Sequence, residues 1–364
     1  MALQFTRDVQ VAIKLGSDIW EVPVLDGFSF SQAINSSEIT VSEAGATSRR
    51  GRLLFNDSLA PVEWSFSTYA RPTLDTAPSP DQARCIEEAL WAMYTGATSF
   101  VASSGVFSGS IGVANAVSAT TNTFDLTNTD IPSMGEGYEI YFMFKPTGGT
   151  NQVYKITKAS VNSVTIDFDI DGIATIQWSG FGSELSDEGS TLAVPTITTG
   201  ITSTTNFIRN RISTVTLSRT DVSPDDAYTI VLTGGSINFE NNISYLTPEE
   251  LGQVNKPLGN ITGTRSISGN LTCYLDNDVS NSKSGELFAD LVADTTTVRN
   301  VFDLDINIGG AAAPALKFSL PTAHLEIPVV NVEDLLTLDI AFHGQASGGN
   351  IDSQNEATIV YTAA

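Results

Sequence analysis

Positive charge is what this 364-residue chain has least of: 18 Lys and Arg stand against 41 Asp and Glu, for a formal net charge of −23. Such a surface repels nucleic acid and anionic membranes, which argues against sequence-specific DNA binding and leaves only passive contact with DNA. Cysteine is nearly absent. Cys85 and Cys273 fall in different halves of the chain, make no disulfide framework, and predict assembly in a reducing cytoplasm. His324 and His343 are the only histidines, too few for a zinc site, so a structural role is expected of them. Long apolar runs are missing as well. Residues 96–124 carry no charge, but Ser, Thr, Gly and Asn fill them, which predicts loop or weak strand and no membrane partner. The opening MALQFTRDVQVAIKLG scatters charges where a signal peptide needs an apolar core, so no leader is expected.

Signatures of chemistry are equally scarce. No G-x-S-x-G, P-loop or dinucleotide fingerprint occurs, and nothing singles out a carboxylate pair of the glycosidase kind. Asp167-Phe168-Asp169-Ile170-Asp171-Gly172 matches the first half of an EF-hand loop, yet its twelfth position holds Trp178 instead of a bidentate Glu. Phe168 and Ile170 are strand-like, so the motif reads as an acidic strand face. The expectation is a protein that is no enzyme and that takes no metal and no cofactor.

What is present is the vocabulary of short strands and turns. Charged residues make up only 16% of the chain, and Gly, Ser, Thr and Asn abound. Segments such as VTIDFDI (164–170) and VFDLDINI (301–308) alternate apolar and polar residues, as strands with one buried face do.

The second half repeats the pattern of the first. Residues 138–182 lie over 302–346 at a constant spacing of 164, pairing Ile140 with Leu304, Phe142 with Ile306, Tyr154 with Phe318, Val161 with Leu325 and Trp178 with Phe342. Identities are few, but the two-residue phase is kept throughout, and a slip of one would turn every strand inside out. Upstream, Phe28/Ile237 and Phe30/Phe239 fit a spacing of 209, and Phe66/Leu271 one of 205. Ala89/Leu287, Leu90/Phe288 and Met93/Leu291 fit 198, with the spacing of an apolar helix face.

These spacings predict a mainly β chain of two tandem β-sandwich or barrel domains, each with one flanking helix: 1–184, a linker at 185–210, and 211–364. The change from 198 to 164 predicts a surface insertion in the first domain at about 100–137. The basic cluster Arg49, Arg50 and Arg52 stands apart in this acidic chain. It is either a solvated loop or a loop that meets the acidic surface of a neighbouring subunit.

Phe28-Ser-Phe30-Ser-Gln32, the polar loop ending at Arg52, Val62-Glu-Trp64-Ser-Phe66 and the closing strands 173–180 and 336–344 together resemble the tail tube proteins of tailed bacteriophages. The resemblance implies a β-sandwich or barrel with a flanking helix, and six-fold rings stacked into a DNA conduit in the virion tail. For a duplicated chain it implies a homotrimeric, pseudo-hexameric ring. The implied partners are the chain itself and tail proteins such as the tape measure, baseplate or sheath. On this resemblance Asp167, Asp169, Asp303, Asp305 and Glu333 are candidates to face the lumen. Arg49, Arg50 and Arg52 become candidates for contacts between rings, and the insertion belongs on the tube exterior. The competing expectations are a carbohydrate-binding or adhesive β-module and a β-sandwich hydrolase.

Overall fold

The computed structural model describes residues 8–25, 27–39, 51–75, 81–109, 112–126, 137–145, 150–189, 206–219, 226–276, 283–293, 301–332, 335–347 and 355–363. Arg49, Arg50 and Glu333 lie outside the described residues.

The first half opens with a hairpin, β1 (Val9–Leu15) and β2 (Asp18–Val22), turned at Gly16, whose φ of +60° suits glycine. A long two-stranded arm follows, β3 (Ser29–Ile39) with β4 (Leu53–Tyr69). The short pair β5 (Pro72–Asp75) and β6 (Gln82–Cys85) leads into α1 (Glu88–Tyr94). Then come β7 (Ser99–Val101), β8 (Val106–Ser108), β9 (Asn115–Val117) and β10 (Thr121–Asp125). The half closes with β11 (Tyr138–Phe144), β12 (Gln152–Asp169), β13 (Thr175–Gly182) and β14 (Glu184–Gly189).

The second half runs β15 (Thr214–Arg219), β16 (Asp226–Thr229), β17 (Leu232–Glu240), β18 (Ser244–Leu246), β19 (Gly259–Ile261) and β20 (Ser266–Tyr274). After these come α2 (Ser284–Ala293), β21 (Phe302–Ile308), β22 (Ala315–Leu325), β23 (Val329–Val332), β24 (Leu336–Gly344) and β25 (Thr358–Thr362).

Each half is two layers, and the strand orders correspond. In one layer the order is β3-β4-β13-β12 in the first half and β17-β20-β24-β22 in the second. The other layer has β2-β1-β11-β12 and β16-β15-β21-β22. β12 and β22 belong to both layers: each starts in one sheet and ends in the other. The two first layers are then joined edge to edge, because β12 pairs with β17 from Ser163↔Glu240 to Asp169↔Gly234. One sheet therefore crosses the whole molecule.

The ladders refine the residue correspondences between the halves. Trp178 faces Phe66 and Phe342 faces Gly269, so Gly269, not Leu271, occupies the row of Phe66. Likewise Val164 lies beside Trp178 and Leu325 beside Phe342, so Leu325 answers to Val164 and not to Val161. The spacing of 164 holds on either side of this stretch and slips where β12 and β22 change sheets, a place where bulges occur in both strands' ladders. Glycine fills a packing role here: a Cβ on Gly269 would collide with the Phe342 ring, and one on Gly180 would meet the Trp64 ring at 2.6 Å.

Residues 96–124, expected as loop or weak strand, include two short hairpins, β7–β8 and β9–β10. β10 adds to the second half through β25, in register from Thr121↔Thr362 to Asp125↔Thr358, and Phe107, Phe124 and Leu126 are fully buried. Their polar composition hid a few apolar anchors, enough to seat the hairpins against a partner strand distant in sequence.

α1 is the centre of the core, and every one of its residues is buried. Trp91 lies 5.0 Å from Trp178 of its own half and 5.7 Å from Phe239 of the other, while its Nε1 donates to Tyr361 Oη at 2.8 Å. Beneath the helix two carboxylates are buried. Glu88 accepts from Trp20 Nε1 at 2.9 Å and from Arg84 Nε at 2.7 Å, an ion pair sealed from water. Glu87 Oε1 accepts the Arg71 amide at 3.0 Å, but Oε2 has no hydrogen-bond partner. Burial pushes the Glu87 carboxyl up from its ordinary 4.5 to about 8, outweighing its hydrogen bonds and the Arg71 charge.

Two outcomes follow from this centre. Trp91→Ala leaves a void shared by both halves and costs about 3–5 kcal/mol, read by urea denaturation; because the void is shared, both halves lose stability in one transition. Glu87 holds its proton more tightly folded than unfolded, so its stabilising contribution is full below pH 4.5 and is lost as pH rises through about 8. Glu87→Gln keeps the acceptor, flattens stability over that window, and melts higher than the unmodified chain at pH 8.5.

Candidate functional site

No pocket of convergent catalytic groups is the notable feature; the broad outward face of the continuous sheet is. Alternation along each strand sends Ile166, Phe168, Trp178, Ile237, Phe239, Leu271, Ile340 and Phe342 inward, and the residues between them outward. One outward row reads Ser67, Gln177, Thr165, Asn238, Ser268, His343 and His324 across adjacent strands. The next reads Tyr69, Thr175, Asp167, Ser236, Asn270 and Ala341.

Hydroxyls and amides tie this face together sideways. Thr165 Oγ1 donates to Asn238 Oδ1 at 2.9 Å, Ser236 Oγ to Asn270 Oδ1 at 2.7 Å, and Thr272 Oγ1 to Asp339 Oδ1 at 2.8 Å. Bonds of this sort hold the side chains down, so the surface is polar and short. The same strands, from Val62–Tyr69 through β13, residues 160–169, β17, β20 and β24, carry no Lys or Arg. Glu63, Asp167, Asp169, Glu240 and Asp339 are their acids. Burial, then the charge of Asp169, raises the Asp167 carboxyl above its ordinary range.

The opposite outer face has another chemistry. There Lys14 pairs with Glu139 at 2.6 Å, Lys155 with Glu188 at 2.6 Å and Lys317 with Asp305 at 2.8 Å. The lumen candidates therefore separate. Asp167 and Asp169 stand together on the continuous sheet, whereas Asp303 and Asp305 are on β21, in the other layer, facing away from it. Alternation fixed which face of its own strand each Asp takes but not which sheet the strand joins. Thr165, Asn238, Glu63, Glu240 and Asp339 belong to the same face, and the polar phase of each in its strand is the sequence signal for it.

Arg52 is held within the arm, where its guanidinium grips Glu38 in two hydrogen bonds, one of them Nε to Oε1 at 2.6 Å. That pairing lowers the Glu38 carboxyl and raises Arg52. The arm is also unusually apolar for an exposed hairpin: Ile39, Leu53, Leu54 and Phe55 are all exposed. Asp171 of the EF-hand-like run forms an exposed ion pair with Arg211 at 3.2 Å, and Asp167 and Asp169 are strand residues. His343 Nε2 lies 3.0 Å from Glu326 Oε1, with His324 beside it. Among the described residues, no helix is long and apolar enough to cross a membrane.

A β-sheet wall with one hydroxyl-rich acidic face, edges paired on one side only among the described residues, and an apolar arm fits a structural protein. The family model for phage tail tube proteins matches residues 62–350, and the chain belongs to that family, a structural protein of the virion tail. Over 383 aligned residues the chain is 30% identical to tail tube protein pb6 of Escherichia phage T5, covering 100% of its own length and 76% of that protein.

The Asp167–Asp169 pair gives a direct check of the face. Asp169→Asn removes the neighbouring charge, so the Asp167 carboxyl titrates at lower pH, read by carbon-13 NMR, while burial keeps it above the ordinary carboxylate range.

Proposed function

We propose that this chain is a tandem duplicate, with domains at 1–184 and 211–364 and a linker at 185–210 whose first residues, to Gly189, still pair with β12 as the rest of β14, and that three copies close into a pseudo-hexameric ring of the tail tube. The single observation that carries this reading is the β12–β17 ladder, by which the first half's sheet passes into the second's without a break. Repeating that join from chain to chain closes this sheet into a barrel and pairs both of its outer edges. Among the described residues, the edges available for it are the start of β3 with the segment leading into it, paired on one side with β4, and the end of β22 with β23, paired on one side with β24. β23 is apolar and exposed, with Val329 62% and Val332 79% accessible. That is an aggregation hazard if left open and a seam if paired.

On this reading the polar face lines the lumen. Its acids repel the phosphate backbone, and its short hydrogen-bonded side chains offer DNA no cation to bind, so DNA passes in contact but unheld. The arm with Arg52, Leu53, Leu54 and Phe55 reaches the next ring, and residues 99–126 lie on the tube exterior. Tape measure, baseplate and, in a contractile tail, sheath proteins are the other partners. The role is structural and needs no catalysis.

The register of the seam is its test. Asp167 faces Thr175 as Val329 faces Asp339, and Asp167 pairs with Ser236, whose counterpart at a spacing of 209 is Gly27. Val329 of one copy is therefore opposite Gly27 of the next. Tubes of a Val329→Cys/Gly27→Cys chain, oxidised and run under denaturing conditions, give covalent dimers and trimers. Cys85 and Cys273 are fully buried, so either single variant stays monomeric. Monodisperse chains that form no rings or tubes by negative-stain electron microscopy sink the reading.

A further inference from the structure

We infer that the exposed face of α2 seats on a half-buried aromatic cluster beside β3 of the next copy, making an outer joint over the sheet seam. This rests on the ring reading above, and it names a second surface that the seam does not require. A helix with one apolar face left open needs something to cover it, and here a second copy of the chain supplies that cover. The argument comes from α1, which makes the same joint inside the chain.

α1 bridges the halves with Trp91 and Tyr94. Trp91 lies 5.7 Å from Phe239 and 6.4 Å from Phe318, and Tyr94 lies 6.2 Å from Phe239, all contacts onto the second half. At the spacing of 198, Ala289 and Val292 of α2 take the places of Trp91 and Tyr94. Both are exposed, Val292 to 47%, while Leu287 and Leu291 anchor the helix to its own half. Asp290 helps to fix its rotation by accepting from Tyr228 Oη at 2.8 Å. The face that α1 uses on the second half is thus the face that α2 presents to solvent.

The receiving surface is displaced in the same way. Phe30 and Tyr154 answer to Phe239 and Phe318, at spacings of 209 and 164. Their rings are 5.6 Å apart, and Phe28 and Phe144 extend the patch, with Phe30 4.5 Å from the buried Phe142. None of the four is fully covered. Size is exchanged across the joint. Inside the chain the helix brings Trp91, and the surface has Ile237 and Ile308; between chains the helix brings Ala289, and the surface has Phe28 and Phe144. A small helix face against a large aromatic patch fills the space that the reverse arrangement fills within the chain.

Hydrogen–deuterium exchange on the unmodified chain, soluble and assembled into tubes, separates this joint from the seam. The expected result is exchange slowed roughly tenfold or more on assembly in 284–293, as well as in β3 and β23. Slowing in β3 and β23 with α2 unchanged overturns the joint and leaves the ring standing; no slowing in any of the three overturns both. Slowing across 28–30 and 152–156 without α2 means that another occupant covers the aromatic patch, and that also overturns it. Val292→Arg puts a charge in the joint but leaves the packed side of α2 untouched, so the soluble chain melts as before. Tube yield then falls at least about tenfold, and a yield equal to that of the unmodified chain counts against the joint.

Discussion

An antiparallel ladder of seven residue pairs between β12 and β17 is the constraint on which the rest depends. Each half ends in strand edges whose N–H and C=O groups must be paired or stay in water. By joining the halves at one such edge, the chain makes a single sheet from two sandwiches and fixes their relative register, since a slip of one residue would bring Phe168 and Phe239 to the solvent face. α1 is buried because that join exists. Its Trp91 packs against Trp178 on one side of the seam and Phe239 on the other, so the helix can be apolar on all sides only where two halves meet.

Buried acids under α1 show what that position costs. Glu88 is offset by Arg84 and Trp20, but Glu87 is met by backbone amides and the Arg71 charge too weakly to offset its burial and keeps its proton to about pH 8. Burying these groups is tolerable because each is met by hydrogen bonds or neutralised. The polar sheet face solves a different problem. Among the described residues its strand segments carry acids but no Lys or Arg, while the opposite outer face pairs Lys14, Lys155 and Lys317 with acids. Scarcity of cations in the sequence is therefore also a matter of placement: those of the sheets lie away from the continuous sheet's outward face.

Much of this was legible from residue order. The two-residue phase of Phe302–Ile308 gave the strand and its buried side, and the spacing that matched Met93 with Leu291 found both helices. Three features were not legible, each for a physical reason. Residues 99–126 look like loop because three apolar anchors, Phe107, Phe124 and Leu126, are diluted by Ser, Thr and Asn, and their partner strand β25 is far along the chain. Asp303 and Asp305 share a pattern with Asp167 and Asp169, yet period-2 alternation is local and does not say which sheet a strand enters. The three-residue slip between β12 and β22 hides at the point where both change layers, because the β12 bulge between Val161 and Ser163 restores the in–out phase and leaves Val161 and Val164 both buried, so either one matches the buried Leu325.

On the proposed reading, the halves also differ where their likeness would cause harm. If both ends of the chain were identical, a first half could join a first half as readily as a second, and assembly could stall in rings of the wrong order. In the proposed ring, Trp91 against Ala289, and Ile237 and Ile308 against Phe28 and Phe144, would remove that degeneracy. A bulky helix face set on the bulky aromatic patch would overpack, and a small face set on the small surface would leave a void; both errors cost more than the matched joints. Backbone pairing at a strand edge is permissive, since any edge satisfies any other of the right direction. On the proposed reading the sheet seam supplies continuity and the aromatic joint supplies order, a division of labour in which specificity comes from rejecting the wrong neighbour as much as from holding the right one.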